Sequence, residues 1–225
     1  MAEVDLPGAG MSYVINLYRK PKPGNFKTVL DAAIASLDAT VEATGKRGFI
    51  TGTMSHPNPT QGSNFIVTST GGFETVEELD SFMDAAGANS EMFARVDKAN
   101  SQCESFSSEI SRIMPPQSKI PENFDPKWVM RDIQVAKPGQ LPAVIEYLSE
   151  WREEGIGVPT VLVLNVPLGK VNLSALRLTF FFESLADMEA GDANIMSNPK
   201  LPGLMDMLEG SPTRVISRIL HRRGF

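Results

Sequence analysis

Apolar positions spaced i, i+3, i+4, i+7 occur twice near strand-like runs of the 225-residue chain. The first set is Phe26, Val29, Leu30 and Ala33; the second is Leu141, Val144, Ile145 and Leu148. That spacing puts four side chains on one face of an amphipathic helix. Each set follows a Lys-Pro-Gly turn, at residues 22–24 and 137–139, which lie 115 residues apart. Proline lacks the donor that a sheet ladder needs and glycine tolerates the turn, so the triplet ends a strand before the helix begins. The strands before the turns match too: "YVINLYRK" starts at Tyr13 and "WVMRDIQV" at Trp128, again 115 apart.

The matches continue in order along the chain. "GGFETVEEL" (Gly71 to Leu79) resembles "FFFESLADM" (Phe180 to Met188) at an offset of 109, and "EISRIM" (Glu109 to Met114) resembles "VISRIL" (Val215 to Leu220) at 106. The shrinking offset corresponds to shorter loops in the second copy. Ordered similarity over this length indicates an internal duplication.

The patterning predicts the same elements in each copy. The first copy reads as a strand at Met11–Lys20, a helix at Asn25–Ala43, strands at Arg47–Ser55 and Asn64–Thr70, a helical region Glu74–Gln102 broken near "AGANS", and a strand at Ser105–Met114. The second reads as a strand at Trp128–Ala136, a helix at Gln140–Glu153, strands at Val158–Val166 and Leu173–Phe182, helices from Ser184 to Leu208 with a break, and a strand at Thr213–His221. The predicted organisation is a disordered segment 1–10, a first repeat 11–114, a linker 115–126, a second repeat 127–221 and a tail 222–225.

Strand–helix–strand–strand–helix–strand is the ferredoxin-like order. Such a sheet covers one face with helices and leaves the other bare. Two copies in one chain can pack the bare faces together, giving an α+β fold of duplicated βαββαβ repeats in a fused barrel. Element order, the extra short helix before each last strand and the duplication resemble the dimeric α+β barrel superfamily, which includes antibiotic-biosynthesis-monooxygenase-like, EthD-like and NIPSNAP-like proteins. The resemblance covers about Met11 to Leu220 and lies at the level of fold. It implies a barrel interior able to hold a small organic molecule.

Composition narrows the partners. The formal charge is −6, so the chain has no global attraction for phosphate backbones and nucleic acid is not expected. The basic cluster "HRRGF" at residues 221–225 reads as a solvated tail. One cysteine, Cys103, excludes an internal disulfide and a cysteine-based zinc site, and fits a reducing, cytoplasmic setting. It reads as a structural thiol. No run approaches the ~18 apolar residues of a membrane span, and residues 1–10 lack signal-peptide character, so no membrane partner is expected. A fused barrel has no need of a second chain to close it, which predicts a monomer or a dimer through an outer surface.

Alternation nominates the side chains inside the barrel. On the fifth strand Val129, Ile133 and Val135 share the face expected to meet the helices, and Trp128, Met130, Asp132 and Gln134 the face expected to line the barrel. The 115-residue offset then puts Tyr13, Ile15, Leu17 and Arg19 inside. Tyr13 and Trp128 form an equivalent aromatic pair; Asp132 and Arg19 are either a buried ion pair or substrate contacts. Arg112 and Arg218, the duplicated arginines of "SRI", are either anion ligands in the barrel or sheet-edge ion pairs. His56 opens the loop "HPNPTQG" and has no counterpart in the second copy. The copies also differ at Arg131 opposite Asn16 and at Asp132 opposite Leu17.

These residues support a reading as a cofactor-independent enzyme, monooxygenase-like or isomerase-like, acting on a small organic molecule in the barrel. A non-catalytic module with a packed barrel is the alternative. A haem protein is the weaker one, since an axial histidine would be wanted over the cavity and neither helical region supplies it. No cofactor and no metal are expected; phosphate-loop, nucleophile-elbow and zinc-helix motifs are absent from the sequence.

Overall fold

The computed structural model describes residues 12–55, 64–114, 124–153, 161–167 and 174–224. The first half runs β1 (Ser12–Pro21), α1 (Phe26–Thr44), β2 (Arg47–Ser55), β3 (Ile66–Phe73), α2 (Val76–Ala88), α3 (Ser90–Ser101) and β4 (Cys103–Met114). The second runs β5 (Trp128–Val135), α4 (Leu141–Glu153), β6 (Val161–Pro167), β7 (Ala175–Phe182), α5 (Leu185–Ser197), α6 (Leu201–Asp206) and β8 (Thr213–Arg223). The predicted N-terminal segment, the linker as far as residue 123 and the loop that holds His56 lie outside the described residues.

Local chemistry accounts for the repeated starts. Gly24 and Gly139 both take positive φ, 84° and 77°, where a side chain would be strained. The two turns close alike, with the Asn25 amide donating to Lys22 (3.0 Å) and the Gln140 amide to Lys137 (2.9 Å). The later helices also start alike. The Thr75 hydroxyl accepts from the Glu78 amide and the Ser184 hydroxyl from the Asp187 amide, so each helix opens on a side-chain cap worth about 1 kcal/mol.

Every strand pairing is antiparallel, and the eight strands close in the order β1-β3-β2-β8-β5-β7-β6-β4. Each half contributes a ferredoxin-like sheet, β4-β1-β3-β2 and β8-β5-β7-β6. The sheets join edge to edge through β2–β8 and β4–β6, so their bare faces become the inside of one barrel. The helices cover the outside. Val29, Ala33 and Leu37 of α1 pack on Ile50 and Ile66; Val144, Leu148 and Trp151 of α4 pack on Leu176, Leu178 and Phe180. Each fully buried aliphatic or aromatic side chain contributes about 1.5–3 kcal/mol of burial.

Two expectations change. The residues assigned to a tail after His221 instead continue β8 to Arg223, with Arg222 and Arg223 opposite Phe49 and Gly48, and Arg222 ion-paired to Asp125. Pairing with β2 satisfies backbone groups that a free tail leaves to water. The second change concerns the faces of the strands, which are the reverse of those assigned from alternation. Trp128 and Met130 pack in the cluster that contains α4 and α6 residues, and Tyr13 and Ile15 pack with Leu79 of α2. The apolar stripes of the helices need a broad apolar surface beneath them, and these bulky residues supply it. The opposite face of each strand, carrying Asn16 and Tyr18 on β1 and Val129 and Arg131 on β5, lines the barrel.

Candidate functional site: a charged barrel interior

Residues inside the barrel come from strands far apart in sequence. The Phe49 ring of β2 meets the Phe181 ring of β7 edge-on across the interior, with centroids 5.5 Å apart. Around them the inner surface is polar: Asn16, Thr51, Ser69, Glu109, Ser111, Arg131, Arg177, Thr179 and Ser217 are all buried.

Two guanidiniums face this space in different circumstances. Arg177 of β7 donates from Nη1 to Glu109 Oε1 at 2.7 Å and to Tyr18 Oη at 2.5 Å, and from Nη2 to Ser111 Oγ at 3.4 Å. Glu109 also accepts from Ser111 Oγ at 2.8 Å and from the Tyr18 hydroxyl at 3.4 Å. The pair is almost wholly desolvated, its side chains 7% and 3% exposed. Beside it, Ser69 Oγ donates to Asn16 Oδ1 at 2.7 Å. Arg131 of β5 has no carboxylate within ion-pair distance among the described residues. Its Nη1 donates to Thr51 Oγ1 at 3.3 Å and Ser217 Oγ at 3.4 Å, both long for such bonds. Burial, reinforced by repulsion from Arg177, pushes the pKa of the Arg131 guanidinium down to about 10, well below the ordinary arginine value, against the attraction of Tyr18 and Glu109. Two buried polar atoms of this face, Arg177 Nε and Asn16 Nδ2, have no hydrogen-bond partner among the described residues.

The residues nominated from alternation lie on the outer face. Tyr13 is in the core under α2. Arg19 donates to Asn100 Oδ1 of α3 at 3.0 Å and to Thr68 Oγ1 at 3.4 Å, and burial lowers its pKa. Trp128 is half-buried, with the Arg218 guanidinium 4.8 Å from its ring centroid, a cation–π contact. Those two are therefore brought together, whereas Asp132 and Arg19 are not. Asp132 takes a bidentate pair of 2.8 Å bonds from Arg214, which also pairs with Asp192 of α5; this double pairing raises the Arg214 pKa. Arg112 is half-buried opposite Tyr13, its Nε without a partner among the described residues. The residues that alternation missed are Arg177, Glu109 and Tyr18. A lone arginine within "ALRLTFFF" was the available signal for the first.

Two further features bear on chemistry. Cys103 is buried, and burial pushes its thiol up, away from a reactive thiolate. The described residues do not fit haem: His221 Nε2 lies 2.7 Å from Asp38 Oδ1 of α1 on the outer face, so no axial histidine of the described set faces the interior.

Neither a protein-family profile nor a curated protein matches the chain. Solved structures do. A proposed monooxygenase from Fusobacterium nucleatum subsp. nucleatum ATCC 25586 is 11% identical, with 94% of each chain covered and a TM-score of 0.71. An anthrone oxidase-like protein is 14% identical over 95% of this chain and 92% of that one, with a TM-score of 0.64. A mutant chlorite dismutase from Candidatus Nitrospira defluvii is 11% identical over 94% of this chain and 91% of that one, with a TM-score of 0.54. The fold is that of the dimeric α+β barrel proteins. At these identities the likeness establishes the fold alone. No helix among the described residues is long and apolar enough to cross a membrane.

Proposed function

We propose that the barrel interior binds and transforms a small organic molecule by cofactor-independent monooxygenase-like or isomerase-like chemistry. One observation carries this reading: the inner face is a buried polar network, where a barrel serving only as a scaffold gains more from apolar filling. Tyr18 supports a proton-transfer role. Its hydroxyl lies between a cation, Arg177, and a carboxylate, Glu109, so a proton taken from substrate has a route to Glu109 while guanidinium charge stabilises the conjugate base. The names of the first two neighbours, an oxidase-like protein and a proposed monooxygenase, favour oxygen chemistry. Closure of the barrel within one chain supports a protein that works without a second copy, and the shared strand order of the halves supports the duplication. The single cysteine supports a cytoplasmic setting.

The contact between Phe49 and Phe181 favours a second reading, a packed barrel that acts only through its surface. One experiment separates the two. Purified protein is screened by thermal shift against anthrone, 1-naphthol and related hydroxyaromatics, and binders are followed by oxygen uptake and product chromatography. Conversion with uptake marks a monooxygenase, and conversion without it an isomerase. Either activity should fall about a hundredfold in Glu109→Gln. If no compound raises the midpoint, the barrel is a packed module.

A further inference from the structure

We infer that the ligand of this interior is a small organic monoanion, a carboxylate or ionised phenol, whose charged oxygen is held by Arg131 and Arg177. The inference rests on the reading of the barrel as a binding chamber and names what enters it.

Charge comes first. Among the described residues that are both inward-facing and buried, Arg131 and Arg177 are cationic and Glu109 alone is anionic; Lys20 and Arg222, toward the barrel ends, are paired with Glu104 and Asp125. Glu109 is already held by Arg177, Ser111 and Tyr18. Arg131 therefore brings a positive charge into a desolvated space where, among the described residues, two hydroxyl oxygens at 3.3 and 3.4 Å receive it and Glu109 attracts it from beyond ion-pair distance. An uncompensated buried cation is strongly disfavoured. A chain that retains one inside a closed barrel is built to receive its counter-charge from a ligand. Unused donor capacity points the same way. Arg177 Nε is buried with no partner among the described residues, and it belongs to the guanidinium that already faces the interior. A planar anionic oxygen pair suits guanidinium donors of this kind.

The single excess charge favours a monoanion over phosphate or another dianion. The surrounding wall favours an organic body. Thr179 stands opposite Arg131, and two residues along the same strands Phe181 stands opposite Val129. The anion end and the apolar end of the site are thus separated by about 7 Å of strand. Phe49 covers Phe181 from the far side. A carboxylate attached to one or two aromatic rings matches that spacing.

The test compares isosteres that differ in charge. Binding of benzoate and 1-naphthoate is measured by titration calorimetry beside benzamide and 1-naphthamide, on wild type, Arg131→Gln and Arg131→Lys, with inorganic phosphate as the dianion. The expected result is that an acid binds about ten- to a hundredfold more tightly than its amide, that Arg131→Gln abolishes this preference, and that Arg131→Lys keeps part of it. Circular dichroism on each variant confirms that it is folded. Equal affinity for acid and amide, or an acid preference that survives Arg131→Gln, overturns the anion assignment while leaving the chamber standing. Tighter binding of phosphate than of either acid also overturns it. If neither acid binds while the neutral hydroxyaromatics do, the anion assignment again falls and the chamber remains. If nothing binds, both fall.

Discussion

Arg131 and Asp132 are neighbours in β5, both buried, and they show what the two sides of one sheet are for. Asp132 faces the helices. It is bound on both oxygens by Arg214, which is shared with Asp192, so its charge is fully answered within the fold. Arg131 faces the barrel and is answered by two distant hydroxyls. Around Asp132 the outer face thus closes its own electrostatic account, while around Arg131 the inner face leaves one open; Arg19, under α3 on the outer face, is a second buried guanidinium met by neutral groups among the described residues. The Asp132 pairing is therefore evidence about folding, whereas Arg131, aimed into the barrel interior, bears on what the protein binds.

The sharpest way to break this comparison is to remove the outer carboxylate. Asp132→Ala leaves the half-buried Arg214 with Asp192 alone, and the expected loss is about 3 kcal/mol, read from urea unfolding. Affinity for any barrel ligand should be unchanged in the folded variant. A loss below about 1 kcal/mol would place this pair with ordinary surface ion pairs.

Removing the inner cation should act in the opposite direction. Arg131→Met replaces an unanswered charge with an apolar chain of similar length, and a gain of about 1–3 kcal/mol is expected together with loss of anion binding. The pH dependence follows from the depressed guanidinium. With a pKa near 10 when folded and a higher, ordinary arginine value when unfolded, it is protonated in both states below pH 10, so its full penalty, up to about 3 kcal/mol, applies there. Between those values the folded state releases its proton first and the penalty fades as pH rises. The gain should therefore be equal at pH 7 and pH 9. A destabilised Arg131→Met would mean that the fold, rather than a ligand, depends on this residue.

The signals legible in the sequence were the local ones. Lys-Pro-Gly turns, apolar helical stripes and the order of elements depend on residues a few positions apart, and the observed elements follow them closely. The break at Asn89 between α2 and α3 falls within the predicted "AGANS" segment. Which face of a strand lies inside was not legible, because alternation defines two faces without ranking them. Tyr13 and Trp128 were assigned to the interior as aromatic candidates, yet helices need bulky partners just as a cavity does. The site itself joins residues distant in sequence: Tyr18, Glu109 and Arg177 meet only because β4 and β6 close the barrel. The 115-residue offset sets Arg131 against Asn16 on the inner face and Asp132 against Leu17 on the outer one, so the differences along it did not rank the faces either.

A substitution of smaller effect tests whether the outer face is as tightly built as its ion pairs imply. Gly48 of β2 points toward α1, where an added Cβ would stand 2.6 Å from Leu37 Cδ1 and 2.7 Å from the Ser69 carbonyl oxygen. The leucine methyl can swing away. The carbonyl belongs to β3, which is hydrogen-bonded to β2, so the sheet itself must shift by a few tenths of an ångström. Gly48→Ala should therefore cost about 1–2 kcal/mol in thermal or urea unfolding. It should do so without altering ligand affinity, because the disturbed contacts lie on the side of the strand away from Thr51 and Arg131. If Gly48→Ala weakened anion binding as much as Arg131→Gln, the two faces would be mechanically coupled, and the division of labour drawn from Arg131 and Asp132 would fail.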